Sequence, residues 1–288
     1  MNRRPGITLI EVLVSIFIMA IGMIALLTLF PLGAINVAQA LRHDRASQCA
    51  TNANALANAR DLRHDPNVIA AFVAVPGSPV YVDPFYSPLS ASLSGISRIS
   101  PAYVNPGNAA QVGSWFSLLD DVNFDANGVG TGSGSGAAFA APQTVTRTGR
   151  YTWAYLLRRP RPQDPTVDMS VVVYADRLTQ TLDGEDAFGA TGAIGTTTVT
   201  LTFGATKPTI RNGSWILDAT VDGTAPNGVI RGYFYRVIDA VEGPAANQFT
   251  LELHTPIKSV ALPVIASMTV VVMDRVVEVF DRGTGYVP

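Results

Sequence analysis

The chain has 288 residues, a formal net charge of −2, 48% hydrophobic residues and only 15% charged ones. That composition excludes a disordered polyelectrolyte, and the balance of 20 basic against 22 acidic residues argues against a protein that coats nucleic acid. A single cysteine, Cys49, excludes an internal disulfide, a CxxC redox pair and a cysteine-based zinc site, and His43, His64 and His254 are the only histidines available for metal or triad chemistry.

The apolar residues are concentrated at the N-terminus. Between Arg4 and Arg42 the only charge is Glu11, and residues 12–37 contain no ionisable side chain. A membrane-spanning helix needs about 20 predominantly apolar residues. Arg3 and Arg4 precede the run, so the positive-inside rule places the N-terminus in the cytoplasm and everything after about residue 36 on the far side. Three other readings compete with a processed membrane segment. Ala38-Gln39-Ala40 has the form of a signal-peptidase site, but the apolar run exceeds the ~7–15 residues of a signal core. A plain signal anchor and a buried core helix are the other two. None of them explains Glu11, because an acid inside an apolar segment is costly and calls for a partner.

Residues Gly6-Ile7-Thr8-Leu9-Ile10-Glu11-Val12-Leu13-Val14 resemble the N-terminal signature of type IV prepilins and type II secretion pseudopilins. A short basic leader, a glycine, an apolar residue, the Thr-Leu-Ile-Glu run and an unbroken apolar stretch follow in that order. The continuation through Gly22 is similar to the minor-pilin group PilV. One position departs, since Ile7 stands where the family has Phe. The resemblance implies a leader at 1–6, cleavage between Gly6 and Ile7 by a prepilin peptidase, and methylation of the new amine. It also implies that Glu11 faces the N-terminal ammonium of a neighbouring subunit in a filament. Two costly charges would then neutralise each other and set the register. The implied partners are the peptidase, other pilin or pseudopilin subunits, membrane lipid before assembly and an inner-membrane assembly platform; nucleic acid is not among them. The implied location is the bacterial inner membrane, then a periplasmic or extracellular filament.

Further along, residues 35–63 lack glycine and proline and are rich in helix formers, so the assembly helix at 7–36 is expected to continue as a stalk over 37–65. A rod from Ile7 to His64 would be about 87 Å long. His64-Asp65-Pro66 is the expected stop. Cys49, Ala53, Leu56 and Ala57 share one face that could pack on a sheet. Gly22, Pro31 and Gly33 interrupt the rod, and a kink or melted turn is expected at Pro31. The resemblance implies that the break accompanies entry into the filament.

Residues 66–145 read as a loop-rich excursion laid over a sheet. Prolines punctuate it, residues 68–75 suit a short strand or helical turn, and residues 128–136 form a glycine-rich loop. Gly132-x-Gly134-x-x-Ala137 is a loosened dinucleotide fingerprint without the strand and helix it needs. Asp121, Asn123, Asp125 and Asn127 alternate as the oxygen ligands of a calcium loop do, although the glycine is late and the closing acid is missing. Their alternative is a solvated Asx-rich turn. Calcium is the only cofactor the pattern admits.

From residue 146 to 288 the pattern changes to strands, expected at 151–157, 169–174, 196–203, 215–217, 229–238, 249–253, 268–273 and 276–280. Asn212-Gly213 and Asn227-Gly228 mark tight turns. Short sequential strands without helices between them indicate an antiparallel sheet or small barrel, and the fold class is α+β. Arg158, Arg159 and Arg161, set among prolines, form the one basic cluster, either a solvated turn or a phosphate contact. Asp183, Glu185 and Asp186 read as a solvated acidic loop. No Gly-x-Ser-x-Gly elbow, His-x-x-x-His pair or P-loop occurs, and no enzyme is expected. The reading is a minor pilin or pseudopilin; the rival is a membrane-anchored adhesin, DNA-binding module or enzyme that merely uses this N-terminus.

Overall fold

The computed structural model describes residues 9–74, 76–83, 96–99, 123–124, 130–131, 151–161, 164–175, 185–204, 206–223, 228–258 and 267–286. Two compact units divide the chain, residues 1–45 and 46–288. A single helix, α1 (Leu9–Ala59), contributes to both.

Within the second unit α1 presents a stripe of small residues. Ala46, Ala50, Ala53 and Ala57 are buried, with Cys49 and Leu56 partly buried beside them. The stripe includes the face read from the sequence, adds Ala50 within it and extends it toward the N-terminus by Ala46. The helix ends five residues before the expected stop. Asp61 takes a left-handed conformation (φ 50°), and a 3-10 turn, Leu62–His64, follows. Pro66 begins a helix instead of ending one. Asp65 Oδ1 accepts the Asn67 N–H at 2.8 Å, capping α2 (Pro66–Ala74) with proline at its first position, where a missing N–H costs nothing. The strand alternative at 68–75 is thereby replaced by a helix that buries Val68 and Phe72.

The strands follow in order: β1 (Val80–Val82), β2 (Ser97–Ile99), β3 (Asn123–Phe124), β4 (Gly130–Thr131), β5 (Tyr151–Arg158), β6 (Thr166–Ala175), β7 (Glu185–Gly192), β8 (Thr198–Thr202), β9 (Trp215–Asp218), β10 (Val221–Asp222), β11 (Val229–Ile230), β12 (Tyr233–Glu242), β13 (Gln248–Leu253), β14 (Ser267–Met273) and β15 (Val276–Tyr286). An open sheet has the order β15-β6-β5-β1-β2. The segment read as an excursion over the sheet thus supplies two of its strands, and β1 and β2 pair in parallel where only antiparallel pairing was expected. Gly130 and Thr131, read as part of a flexible loop, pair with β3.

One face of the open sheet carries Val80, Val82, Tyr155, Leu157, Val167, Met169, Val171 and Val173 and forms a core with α1 and α2. The Tyr155 hydroxyl donates to the Ala53 carbonyl at 3.0 Å, and Trp153 Nε1 donates to that hydroxyl at 2.9 Å, so the aromatic row is tied to the helix backbone.

A second core fills a closed barrel of order β12-β13-β8-β7-β14-β9. Val199, Leu201, Ile216, Tyr235, Val237, Leu251, Leu253, Val270 and Val272 occupy its interior. Gly192 is required there, because a Cβ would stand 2.8 Å from Ile257 Cδ1 and 2.9 Å from Met268 Sδ. β7 replaces the expected acidic loop: Glu185 and Asp186 open a strand paired with β14. The expected strand at 229–238 is cut into β11 and β12 by Arg231 and Gly232, and Gly232 has φ 61° and lies against Pro79.

The barrel strands all lie between β6 and β15 in sequence, yet β6 and β15 are hydrogen-bonded neighbours. Ala175 N–H donates to the Arg275 carbonyl at 3.0 Å where the chain leaves and re-enters the sheet. A third cluster joins the outer face of the sheet (Tyr81, Ala154, Leu156, Val172, Tyr174) to barrel residues including Leu217, Ala219, Val271 and Met273. The architecture is α+β, an N-terminal helix followed by antiparallel sheet and a six-stranded barrel.

Candidate assembly helix

Leucine, isoleucine and other large apolar side chains dominate α1 from Leu9 to Phe30, where interior helix propensity alone would not demand them. The described residues of the first unit are all exposed. Leu9 is 82% exposed, Phe17 66% and Phe30 79%, and apolar residues occupy every face of the helix. A helix apolar all round is one that another apolar medium surrounds, whether lipid or neighbouring helices. Counting only described side chains, no helix is long and apolar enough to cross a membrane. Ala25, Thr28, Leu29 and Leu32 fall outside that count, and the sequence taken in full has no ionisable residue over positions 12–37. At 1.5 Å per residue that stretch is about 39 Å long, against a hydrocarbon core of about 30 Å.

Glu11 lies in the first turn of α1, where the helix dipole favours an acid. The Ser15 hydroxyl donates back to the Glu11 carbonyl at 2.8 Å. Among the described residues no cation pairs with the Glu11 carboxylate. Gly6 and Ile7 lie outside the described residues.

Of the kink or melted turn expected at Pro31, the melted turn is absent: α1 runs as helix through Gly22, Pro31 and Gly33. A single proline removes one hydrogen-bond donor while the turns on either side keep theirs, so the helix survives. Nothing lies within 4 Å of where a Cβ would stand on Gly22 or Gly33. Within the chain, then, neither glycine is demanded by close packing.

The other singled-out residues are dispersed. Asp121, Asp125 and Asn127 lie outside the described residues, as do Gly132, Gly134, Ala137 and Asp183, while the backbone of Asn123 is in β3. Among the described residues no three His, Cys, Asp or Glu side chains could hold a metal ion. The basic cluster is divided: Arg158 pairs with Asp168 and donates to the Tyr233 hydroxyl at 2.8 Å, Arg159 stacks on Phe72, and Arg161 is exposed. His254 is exposed at the end of β13, its N–H donating to the Arg236 carbonyl at 2.9 Å.

Sequence reasoning missed one buried polar group. Arg231 has no exposed surface; its Nε donates to both Asp222 oxygens at 2.9 and 3.0 Å, its Nη2 to Asp222 Oδ1 at 2.8 Å, and its Nη1 to Asp218 Oδ2 at 3.3 Å. Thr220 donates to Asp218 Oδ1 from its N–H at 3.0 Å and also from its hydroxyl. Burial raises the Asp218 carboxyl above the ordinary carboxylate range, against the pull of Thr220 and Arg231. Burial opposes the Arg231 cation too, but Asp222 and Asp218 outweigh it and hold the guanidinium above its usual value. Three charges spaced over a short polar stretch look like a surface turn, and only the flanking β propensity hinted otherwise.

Comparison with known proteins bears on the two ends of this description differently. No curated protein matches the chain. Among solved structures, the phage phi92 endosialidase is 14% identical over 46% of this chain, with a TM-score of 0.20, and the match spans 18% of that protein's length. Residues 1–27 match the family model described as the prokaryotic N-terminal methylation motif, so the chain carries the type IV prepilin-like signal at its N-terminus.

Proposed function

We propose that this chain is a minor pilin or pseudopilin, a structural subunit of a type IV pilus or a type II secretion pseudopilus. The observation that carries the reading is the helix behind the methylation motif, apolar on every face and exposed along its whole described length in the first unit. Prepilin peptidase cuts between Gly6 and Ile7 and the new amine is methylated. Before cleavage the segment holds the chain in the inner membrane, with its N-terminus cytoplasmic and the β region outside. After it, residues 7–30 pack against the equivalent helices of other subunits on an inner-membrane assembly platform. The reading assigns neither catalysis nor a cofactor to the β region, and calcium stays a property to test at Asp121, Asn123, Asp125 and Asn127. Gly22, Pro31 and Gly33 weaken one stretch of α1 so that it can unwind when neighbours crowd it, although the isolated helix is intact there.

Glu11 supplies the registry. Its carboxylate has no cationic partner among the described residues, and the ammonium of a neighbour's Ile7 would complete it. Glu11→Ala should leave membrane insertion unchanged and lower incorporation into filaments by about tenfold or more, the equivalent of about 1.4 kcal/mol. Membrane fractionation and quantification of the subunit in sheared filaments measure the two effects. Normal incorporation of the variant would remove the charge pairing from the account.

A further inference from the structure

Residues 12–41 carry no ionisable side chain and all lie in α1, so the run is about 45 Å long at 1.5 Å per residue. A hydrocarbon core of about 30 Å takes only part of it. Tilt alone does not absorb the surplus, because a rod of about 45 Å would have to lean by about 48°, beyond the ~0–40° that membrane helices adopt. Counted with its headgroup layers a bilayer is about 40–45 Å thick, and the run matches that length. Glu11 and Arg42, about 46 Å apart along the axis, then stand in the two headgroup layers. Gln39 is about 4.5 Å inside Arg42, a polar residue at headgroup depth.

At its outer end the run meets Arg42, His43, Asp44 and Arg45, all four exposed. Arg42 and Arg45 are three residues apart, hence about 60° apart round the helix and on one side of it. Asp44, the one acid of the group, is about 160° round from Arg42 and about 100° from Arg45, and His43 is about 100° and 160° from them. Neither arginine has an ion pair or side-chain hydrogen bond among the described residues. Insertion topology does not ask for this pair either, because the usual excess of Lys and Arg is cytoplasmic and these two stand at the opposite end of the run from Arg3 and Arg4.

We infer that Arg42 and Arg45 receive the phosphate groups of anionic phospholipids in the far leaflet and fix the depth at which the unassembled subunit sits. Their aliphatic stems lie back along apolar helix surface while the planar heads donate N–H groups to phosphate oxygens. A net negative headgroup is preferred to a zwitterionic one, since nothing in the lipid then opposes the two cations. Leaving the bilayer for a filament breaks these contacts, so they retain subunits that have not engaged a neighbour. The inference rests on the membrane insertion proposed above and adds a lipid partner to it.

Electron spin resonance of spin-labelled phosphatidylglycerol and phosphatidylcholine, with the full chain reconstituted in phosphatidylcholine vesicles, tests it. Flotation of the vesicles after a carbonate wash reports integration separately. The chain should immobilise phosphatidylglycerol in preference to phosphatidylcholine, and the preference should shrink at high salt. Arg42→Gln with Arg45→Gln should lower the preference about twofold at unchanged flotation and unchanged thermal unfolding. Arg60→Gln with Lys207→Gln removes the same charge from exposed positions of the second unit and should leave the preference as it was. A preference absent from the wild type, unchanged in the Arg42 and Arg45 variant, or lowered equally by the Arg60 and Lys207 variant would overturn the lipid site while the membrane reading stands. Failure of the wild-type chain to float with washed vesicles would overturn the membrane reading and the lipid site with it.

Discussion

Arg231 holds two carboxylates in an environment from which water is excluded, and that ratio governs its behaviour. Two acids against one base leave the group short of a proton, and Asp218 is the member that burial pushes to a higher pKa. A carboxyl whose folded pKa is raised binds more protons in the native state than in the unfolded one, so its contribution to stability falls as pH rises above the ordinary carboxylate pKa. The stability difference between wild type and Asp218→Asn should therefore move in favour of the variant as pH is raised from about 4 to 8. Urea midpoints across that range measure it, and a difference independent of pH would contradict the assignment. Arg231→Met should cost about 3–5 kcal/mol at neutral pH, because it strands Asp222 and Asp218 inside the fold. None of this was legible in the sequence. Asp218, Asp222 and Arg231 are residue types of a solvated turn, and only three-dimensional closure of β10 and β11 over β9 brings them together. Glu11 is the opposite case, since a lone acid in an apolar stretch is conspicuous in the sequence without any structure.

α1 shows where the sequence speaks clearly at the level of an element and where it does not. Its existence and its apolar character follow from composition over residues 9–59, and the packing face followed from the spacing of Cys49, Ala53, Leu56 and Ala57. Its end did not. The proline at 66 was read as a stop, but Asp61 had already left the helical region and Asp65 recruited the proline as a helix start. Local hydrogen bonding of an Asp side chain decided between two roles that proline can take. β7 was missed for a related reason: glycine, alanine and acids have poor strand propensity, and pairing with β8 and β14 overrides it. The alanine stripe also sets a limit on the helix–sheet distance. Ala50 has no exposed surface, so Ala50→Leu should destabilise the second unit by about 1–3 kcal/mol through overpacking. A thermal or urea unfolding curve reads this directly, and an unchanged midpoint would mean that the helix can move away from the sheet at little cost.

At the scale of the molecule, the chain combines a short N-terminal signal with a β region of unusual construction. The open sheet is interrupted between β6 and β15 by a complete barrel with its own core, while the strands on either side of the insertion remain paired. An antiparallel sheet or small barrel was expected from the strand pattern after residue 146, and both are present, but which strands close the barrel and where it sits within the sheet could not be read from it. Closure depends on which edges meet, and edges carry no periodic mark in the sequence. In the proposed function the labour divides simply: the N-terminal helix supplies the apolar surface for assembly, and the β region supplies what the assembled subunit displays. On that proposal, processing after Gly6 joins the two, since it would expose the amine that pairs with Glu11. The most direct measurement is therefore the intact mass and N-terminal sequence of the protein recovered from native membranes. The account predicts an N-methylated Ile7 as the first residue. A chain still beginning at Met1 or Asn2, or one beginning at Leu41, would contradict it.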